Sequence, residues 1–247
     1  AGTSVDLLAS RLAEAGQYVA LPSGGTVGGA LAVGQSDVYR LGRGPVRDTL
    51  LQAKYVNAEG RVVKAGGPTV KNVSGFDLCR LLVGSRGTLG FIGEVILRTR
   101  PIPQVRRWIR SSNVDPFALL VDLYRPTSVL WDGTTTWVCL EGHPDDVARQ
   151  ARQVIGAADV EGPPALPTGS RRSVPPSALA GATGVFVAEI GVGIVHHADP
   201  WSDRPEVTSV VAALHARLKS LFDPTGRLNP GVDVLAAPAG HVGRTVV

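Results

Sequence analysis

The segment VGSRGTLGFIGEV, residues 83–95, carries glycine at 84, 87, 90 and 93. A period of three fits neither the 3.6-residue turn of an amphipathic helix nor the alternation of a half-buried strand. Collagen does need glycine at every third place, but over a long run rich in proline. Here the register stops after four glycines. Two readings remain. The glycines carry the chain through positive φ, as in any tight turn. Alternatively they expose bare backbone to a ligand, with N–H groups turned toward an anion.

A second run of the same kind is Ser23-Gly24-Gly25-Thr26-Val27-Gly28-Gly29, inside PSGGTVGGALAVG, which reads as a glycine-rich loop. Neither this run nor Gly84-Ser85-Arg86-Gly87-Thr88-Leu89-Gly90 has the GxGxxG spacing of a dinucleotide fold or the GxxxxGK[ST] pattern of a P-loop. A Rossmann nicotinamide site and an ATP site are therefore not indicated. The hydroxyl residues Ser23, Thr26, Ser85 and Thr88 among the glycines suit a pyrophosphate or a flat ring with polar edges.

Around these loops, SVDLLASRLAEAGQYVAL reads as an amphipathic helix, ended by Gly16, and a short strand. DTLLQAKYV and RVVKAGG read as a hairpin turning at Asn57-Ala58-Glu59-Gly60. Asp77 stands where it caps a short helix bearing Leu78, Leu81 and Leu82, and GEVILRTRPIP reads as a strand ended by prolines. Beyond Pro103 the order is strand (QVRRWIRSS), helix (DPFALLVDLYR), hairpin (TSVLWDG and TTTWVCLEG) and helix (HPDDVARQARQVIGA). This is the ferredoxin-like pattern of a small α+β domain. EGPPALPTGSRRSVPPS, from Glu161 to Ser177, reads as a linker or long loop. GVFVAEIGVGIVHH reads as one or two strands, VTSVVAALHARLKSLF as a helix, and the residues from Leu235 as a tail.

Several function classes fall away on composition. Net charge is +4 with the basic residues scattered, so no nucleic-acid platform is expected. Two cysteines, Cys79 and Cys139, make no CxxC, iron–sulfur or disulfide framework, and Cys79 in DLCRLLV reads as core. No apolar run is long enough to span a bilayer and no signal peptide is visible, so the expected place is the cytoplasm, with any membrane association made through partners. No two histidines stand at metal-ligand spacing with carboxylates, so no metal is expected. The 247 residues contain no methionine, which implies that sequence is missing before Ala1.

SGGTVGGALA, GPVRD, VKNVSGFD (70–77), GSRGTLG and FDPTGRLNPG (222–231), taken together, resemble the FAD-binding domain of the vanillyl-alcohol oxidase or PCMH type. The nearest resemblance is to the FAD-binding E subunit of bacterial glycolate oxidase, to which RRSVPPS (171–177) adds a further element. That resemblance implies an α+β fold. Residues 1–104 would be the second part of the FAD domain and 105–160 a small ferredoxin-like cap. Residues 161–247 would be a linker, a strand pair, a helix and a tail returning to the flavin domain. The first phosphate-loop part of the family's domain has no equivalent in residues 1–247, which puts FAD occupancy at issue.

The resemblance also implies roles. Gly24, Gly25, Thr26, Val27, Gly28 and Gly29 would line the diphosphate and the flavin edge. Asn72, Gly75 and Asp77 would shape the adjoining wall, with Asp77 equally able to act only as a helix cap. Gly84, Ser85, Gly87, Thr88 and Gly90 match the flavin loop, and Ile92 and Glu94 follow at the ribityl or adenine side. Gly93 matches nothing. The cofactor would be FAD, and the partners a catalytic flavoprotein subunit and an iron–sulfur subunit of a 2-hydroxy-acid oxidase complex. A base for the substrate hydroxyl is sought at His196 or His197 and a carboxylate clamp at Arg171 or Arg172. Against these, a histidine pair at a strand end is more often structural, and paired arginine in a proline-rich loop is mostly solvated. The rival readings are a scaffold that keeps the fold without flavin and a stand-alone FAD-linked oxidase.

Overall fold

The computed structural model describes residues 1–69, 77–200 and 207–235. It falls into two compact units. The first takes Ala1–Asp37, Gly44–Ile102 and the described residues of Pro205–Ala237; the second takes Val38–Arg43 and the described residues of Pro103–Arg204.

Helix α1, Val5–Glu14, starts at Ser4, whose hydroxyl accepts the Leu7 N–H, and the chain turns out of it through Gly16 at φ 66° into β1, Gln17–Tyr18. The glycine-rich stretch that follows is not all loop. Thr26 Oγ1 accepts the Gly29 N–H at 3.1 Å and caps helix α2, Val27–Val33, which ends on left-handed Gly34. Ala30, Leu31 and Ala32 are good helix formers and offset the two glycines of its first turn. Val27 and Leu31 then anchor it in the core. Helix α3, Arg40–Arg43, belongs to the second unit.

Strands β2, Leu50–Val56, and β3, Val62–Gly66, form the expected hairpin, with Asn57 Oδ1 accepting the N–H groups of Glu59 and Arg61 across the turn. Helix α4, Leu78–Leu82, is capped by Asp77 and buries Cys79 and Leu82. Strand β4, Phe91–Leu97, completes an antiparallel sheet in the order β3-β2-β4, and β5, Arg100–Pro101, pairs with β1. The core of this unit gathers Val5, Leu31, Leu50, Ala53, Tyr55 and Leu82.

The second unit continues with β6, Val105–Ser111, α5, Leu119–Asp122, β7, Ser128–Trp131, β8, Thr136–Gly142, α6, Pro144–Ala151, and β9, Ala158–Val160. Their sheet order, β7-β8-β6-β9, is antiparallel throughout and is the ferredoxin-like arrangement that the element pattern implied. Helix α5 is only one turn long; Asp115 organises the bend before it by accepting the Phe117 N–H.

The expected cap boundary at 160 needs correction. Strands β10, Ser170–Ser173, β11, Phe186–Glu189, and β12, Ile194–His197, extend the same sheet beyond β7 to seven strands, in the order β10-β12-β11-β7-β8-β6-β9. The stretch read as linker therefore contains an edge strand, and the strand pair stays with this unit. Proline and glycine gave it a loop-like texture, but β10 pairs on one side only, and edge positions tolerate such surroundings. Helix α7, Ser209–Phe222, caps on Thr208 and packs Phe222 on the first unit's core.

Candidate functional site

The two glycine runs meet. The N–H groups of Gly84 and Arg86 donate to Leu31 and Ala32 carbonyls at 3.0 and 2.8 Å, so the second run docks onto the open C-terminal carbonyls of α2. Both runs line one cleft of about 520 Å³, which takes in Thr26, Gly28, Gly29, Gly87, Gly90 and Ile92, with Ala32 and Phe91 beside them.

The glycines at 84, 87, 90 and 93 turn out to have separate reasons. Gly84 and Gly87 hold φ of 83° and 75°, which side chains resist. At Gly84 the backbone also lies against α2, since a Cβ on Gly34 would stand 2.8 Å from the Gly84 nitrogen. At Gly90 the intruder is internal: a Cβ would fall 2.5 Å from Tyr55 Cδ2 on the neighbouring strand. At Gly93 a Cβ makes only an ordinary contact, 3.5 Å from the Lys54 carbonyl. Gly87 lines the cleft, and a Cβ added there makes only ordinary contacts with another lining residue, the nearest being Asn229 Nδ2 at 3.7 Å.

Several expected cofactor contacts do something else. Val27 is buried in the core, 3% exposed. Gly24 and Gly25 take φ of 80° and 65° outside the cleft lining, and the Gly24 N–H goes to Asp6 Oδ1. The N–H groups of Val27 and Gly28 donate to Thr3 and Ala1 carbonyls, and that of Gly29 to Thr26, so this run does not present the row of free donors expected of it. The Ser85 hydroxyl donates to the Leu82 carbonyl and the Thr88 hydroxyl to that of Ser85, at 2.8 and 2.7 Å, so both close turns inside their own loop. Glu94 is exposed and paired with Lys54 at 2.9 Å. Asp77 accepts the Arg80 N–H and pairs with its guanidinium at 3.0 Å, the cap reading. Asn72 and Gly75 lie outside the described residues.

A third wall was missed. Arg227, Leu228 and Asn229 line the same cleft. Their turn is built on Asp223, 3% exposed, which accepts the N–H groups of Arg227 and Leu228 at 2.9 and 2.7 Å. Burial disfavours charge on this carboxyl, yet the Lys219 ammonium and the two N–H groups hold it down to about 2. Lys219 Nζ also donates to the carbonyls of Thr88 and Leu228, at 2.9 and 2.8 Å, tying the second glycine run to the turn. Asn229, at φ 44°, donates to the Arg86 carbonyl at 2.6 Å. The signal available in sequence was Asp223 four residues after Lys219 and four before Arg227.

The expected catalytic residues lie in the second unit, on β10 and β12. Arg171 pairs in register with His196, and Arg172 with Val195. His196 is buried and its Nε2 lies 2.8 Å from Glu189 Oε1. Burial lowers the basicity of His197, partly countered by Asp199. Elsewhere on this sheet Glu141 is clasped by Arg43 and Arg106; burial opposes its charge, but the two guanidinium groups prevail and hold it below the usual carboxylate range. Among the described residues no cluster of His, Cys, Asp and Glu is placed to hold a metal, and no helix is long and apolar enough to cross a membrane.

The fold is an α+β architecture of a kind already seen in a solved alkyldihydroxyacetonephosphate synthase. That structure matches 92% of this chain and 61% of its own, with a TM-score of 0.62 at 14% identity, a likeness of fold alone. Sequence relatives carry the assignment further. Glycolate oxidase subunit GlcE of Escherichia coli is 31% identical over 172 residues, which are 65% of this chain and 49% of the relative. D-lactate dehydrogenase of Archaeoglobus fulgidus is 43% identical over 81 residues, 33% of this chain and 18% of the relative. The FAD-linked oxidoreductase Rv2280 of Mycobacterium tuberculosis is 32% identical over 76 residues, 31% of this chain and 17% of the relative. No family model matches the chain. Over part of its length the chain is similar to a glycolate oxidase subunit, to D-lactate dehydrogenases and to FAD-linked oxidoreductases, the likeness that its glycine runs carry. It spans about half the length of the E. coli relative, 49%.

Proposed function

We propose that this chain is the FAD-binding subunit of a glycolate-oxidase-like complex that oxidises 2-hydroxy acids. The observation that carries the reading is the convergence of the two glycine runs and the Arg227–Asn229 turn on one cleft, in a chain related to a glycolate oxidase subunit and an FAD-linked oxidoreductase. The residues present suit part of such a cofactor. Gly87 leaves its side of the cleft bare, Ile92 offers an apolar surface, and Arg227 brings a guanidinium suited to phosphate oxygens. A bound flavin supplies the redox chemistry. This chain's own residues give position and exclude water: the Lys219 bonds hold two walls together, and Asn229 fixes the loop around Gly87. The partners in this reading are a catalytic flavoprotein subunit and an iron–sulfur subunit.

The visible absorption spectrum of the purified full-length protein tests the reading. A flavin band is expected. Its absence leaves the scaffold reading, which the internal hydrogen bonds of Val27, Gly28 and Gly29 favour.

A further inference from the structure

A lone apolar side chain on open surface needs no explanation, but ligand pockets are built of apolar and aromatic side chains with a few polar groups. Phe91 is 69% exposed and lines the cleft that both glycine runs share. Register sets its direction. Along β4, Ile92 pairs with Tyr55 and goes into the core, while Phe91 pairs with Val56 and takes the opposite face of the strand. The lining around it is mostly bare, since Gly28, Gly29 and Gly90 carry no side chain and Ala32 only a methyl group. An aromatic ring beside bare backbone leaves room for a flat body.

The first glycine run does not hold an anion here. Residues 1–4 lie along it, bridged at Ser4 and Thr26, and the Thr3 and Ala1 carbonyls take the Val27 and Gly28 N–H groups at 2.9 and 2.8 Å. Ala1 also accounts for Gly28, where an added Cβ would fall 2.8 Å from Ala1 Cβ. The run is thus a seat for residues 1–4. Among the described residues the one charged side chain of the lining is that of Arg227, and its guanidinium makes no ion pair with another described residue.

We propose that Phe91 is the platform on which a flat heteroaromatic ring stacks in this cleft, and that Arg227, rather than the first glycine run, takes the phosphate carried by the same molecule. Aromatic faces favour such stacking, and guanidinium suits phosphate oxygens. The proposal rests on the flavin reading above and names two residues that select the ligand of that cleft. Flavin mononucleotide and adenosine diphosphate both join a flat ring to phosphate, and used as separate probes they tell which ring is taken.

Calorimetric titration of the flavin-free full chain with flavin mononucleotide, riboflavin, adenosine diphosphate and adenosine tests it. One of the two phosphorylated probes is expected to saturate and to bind about tenfold more tightly than its phosphate-free counterpart, the scale of a hydrogen bond to a charged group. Phe91→Ala is expected to weaken that probe about fivefold to a hundredfold, the span of base stacking on an aromatic side chain. Phe91→Trp is expected to hold it, with the emission of the introduced indole quenched on binding. Val62→Ala removes an equally exposed side chain from the same sheet face, outside the lining, and is expected to change nothing. Arg227→Gln is expected to abolish the preference for the phosphorylated probe, a readout that a purely structural role does not move. Both residues are exposed, so the substitutions spare the core. Unaltered binding by Phe91→Ala overturns the platform. A phosphate preference that survives Arg227→Gln overturns the second half of the proposal, and saturation by none of the four probes overturns both. The flavin spectrum of the purified protein keeps this test apart from that of the proposed function. Adenosine diphosphate binding governed by Phe91 in a protein without flavin sinks that function and leaves this site standing; flavin retained equally by the wild type and Phe91→Ala does the reverse.

Discussion

Gly90→Ala is the sharpest test of why glycine recurs at every third place. The new Cβ would stand 2.5 Å from Tyr55 Cδ2, 3.1 Å from Cε2 and 3.4 Å from Cγ. Carbon atoms in good contact sit about 3.5–4.0 Å apart, so the ring must give by about 1 Å. Tyr55 is 4% exposed and packed within the first unit's core, so a shift of its ring displaces neighbours. Overpacking of this kind costs about 1–3 kcal/mol. Replacing glycine also stiffens the unfolded chain and returns about 0.4–1 kcal/mol where φ is ordinary. Gly93→Ala shares that gain, since Gly90 and Gly93 both lie outside the positive-φ set, but its Cβ meets only the Lys54 carbonyl at 3.5 Å. The difference between the two variants therefore isolates the clash. At roughly 2–4 °C per kcal/mol for a chain of this size, Gly90→Ala should melt about 2–12 °C below Gly93→Ala. The assay is thermal unfolding followed by far-UV circular dichroism, repeated in a Tyr55→Leu background, where the penalty should largely vanish as coupled neighbours require. Equal melting of Gly90→Ala and Gly93→Ala, or a penalty unchanged without the Tyr55 ring, refutes the reasoning.

Gly87→Val puts a branched side chain at the cleft wall at φ 75°, so flavin content of the purified protein should fall, while Arg86→Ala, at a residue outside the cleft lining, leaves it nearly unchanged; normal flavin in the valine variant removes Gly87 from the site. Asp223 is held at about 2, below the usual unfolded value, so its stabilising contribution is complete above about pH 4 and is lost as pH falls toward 2. The melting-temperature gap between the wild type and Asp223→Asn should accordingly close over that window, and a gap constant down to pH 2 would contradict the assignment. Lys219→Met should loosen the turn at 227–229 from the loop at Thr88, seen as faster hydrogen exchange at Leu228 and Asn229 with the β2–β3 hairpin unchanged. Burial, with Glu141 next, pushes the Cys139 thiol up to about 12, so iodoacetamide at pH 8 should leave Cys139 intact in the folded protein and label it after denaturation.

What could be read along the chain was local. The Asn57–Gly60 turn, the Asp77 cap and the βαββα run that makes the ferredoxin-like half all depend on residues a few places apart, and each is found where its spacing implied. The resemblance to FAD-linked oxidoreductases was legible because two short runs and a C-terminal stretch carried its motifs. The reason for each glycine was not legible. Gly90 is empty because of Tyr55, thirty-five residues away in sequence (90 − 55) but beside it on the sheet; Gly84 is bent because α2 ends against it. Ser85 and Thr88 have the hydroxyls that a phosphate wants, and composition cannot show that Leu82 and Ser85 carbonyls already take them. The strand at 170–173 was hidden for a related reason: an edge strand needs a partner on one side only, and that partner is chosen by register across the sheet. Tertiary structure alone also decided that Lys219 joins Thr88 to Leu228 and that Arg171 shares a face with Glu189. Periodicity and capping are written within one turn or one strand, whereas close approach and hydrogen-bond satisfaction depend on which distant segment folding brings alongside.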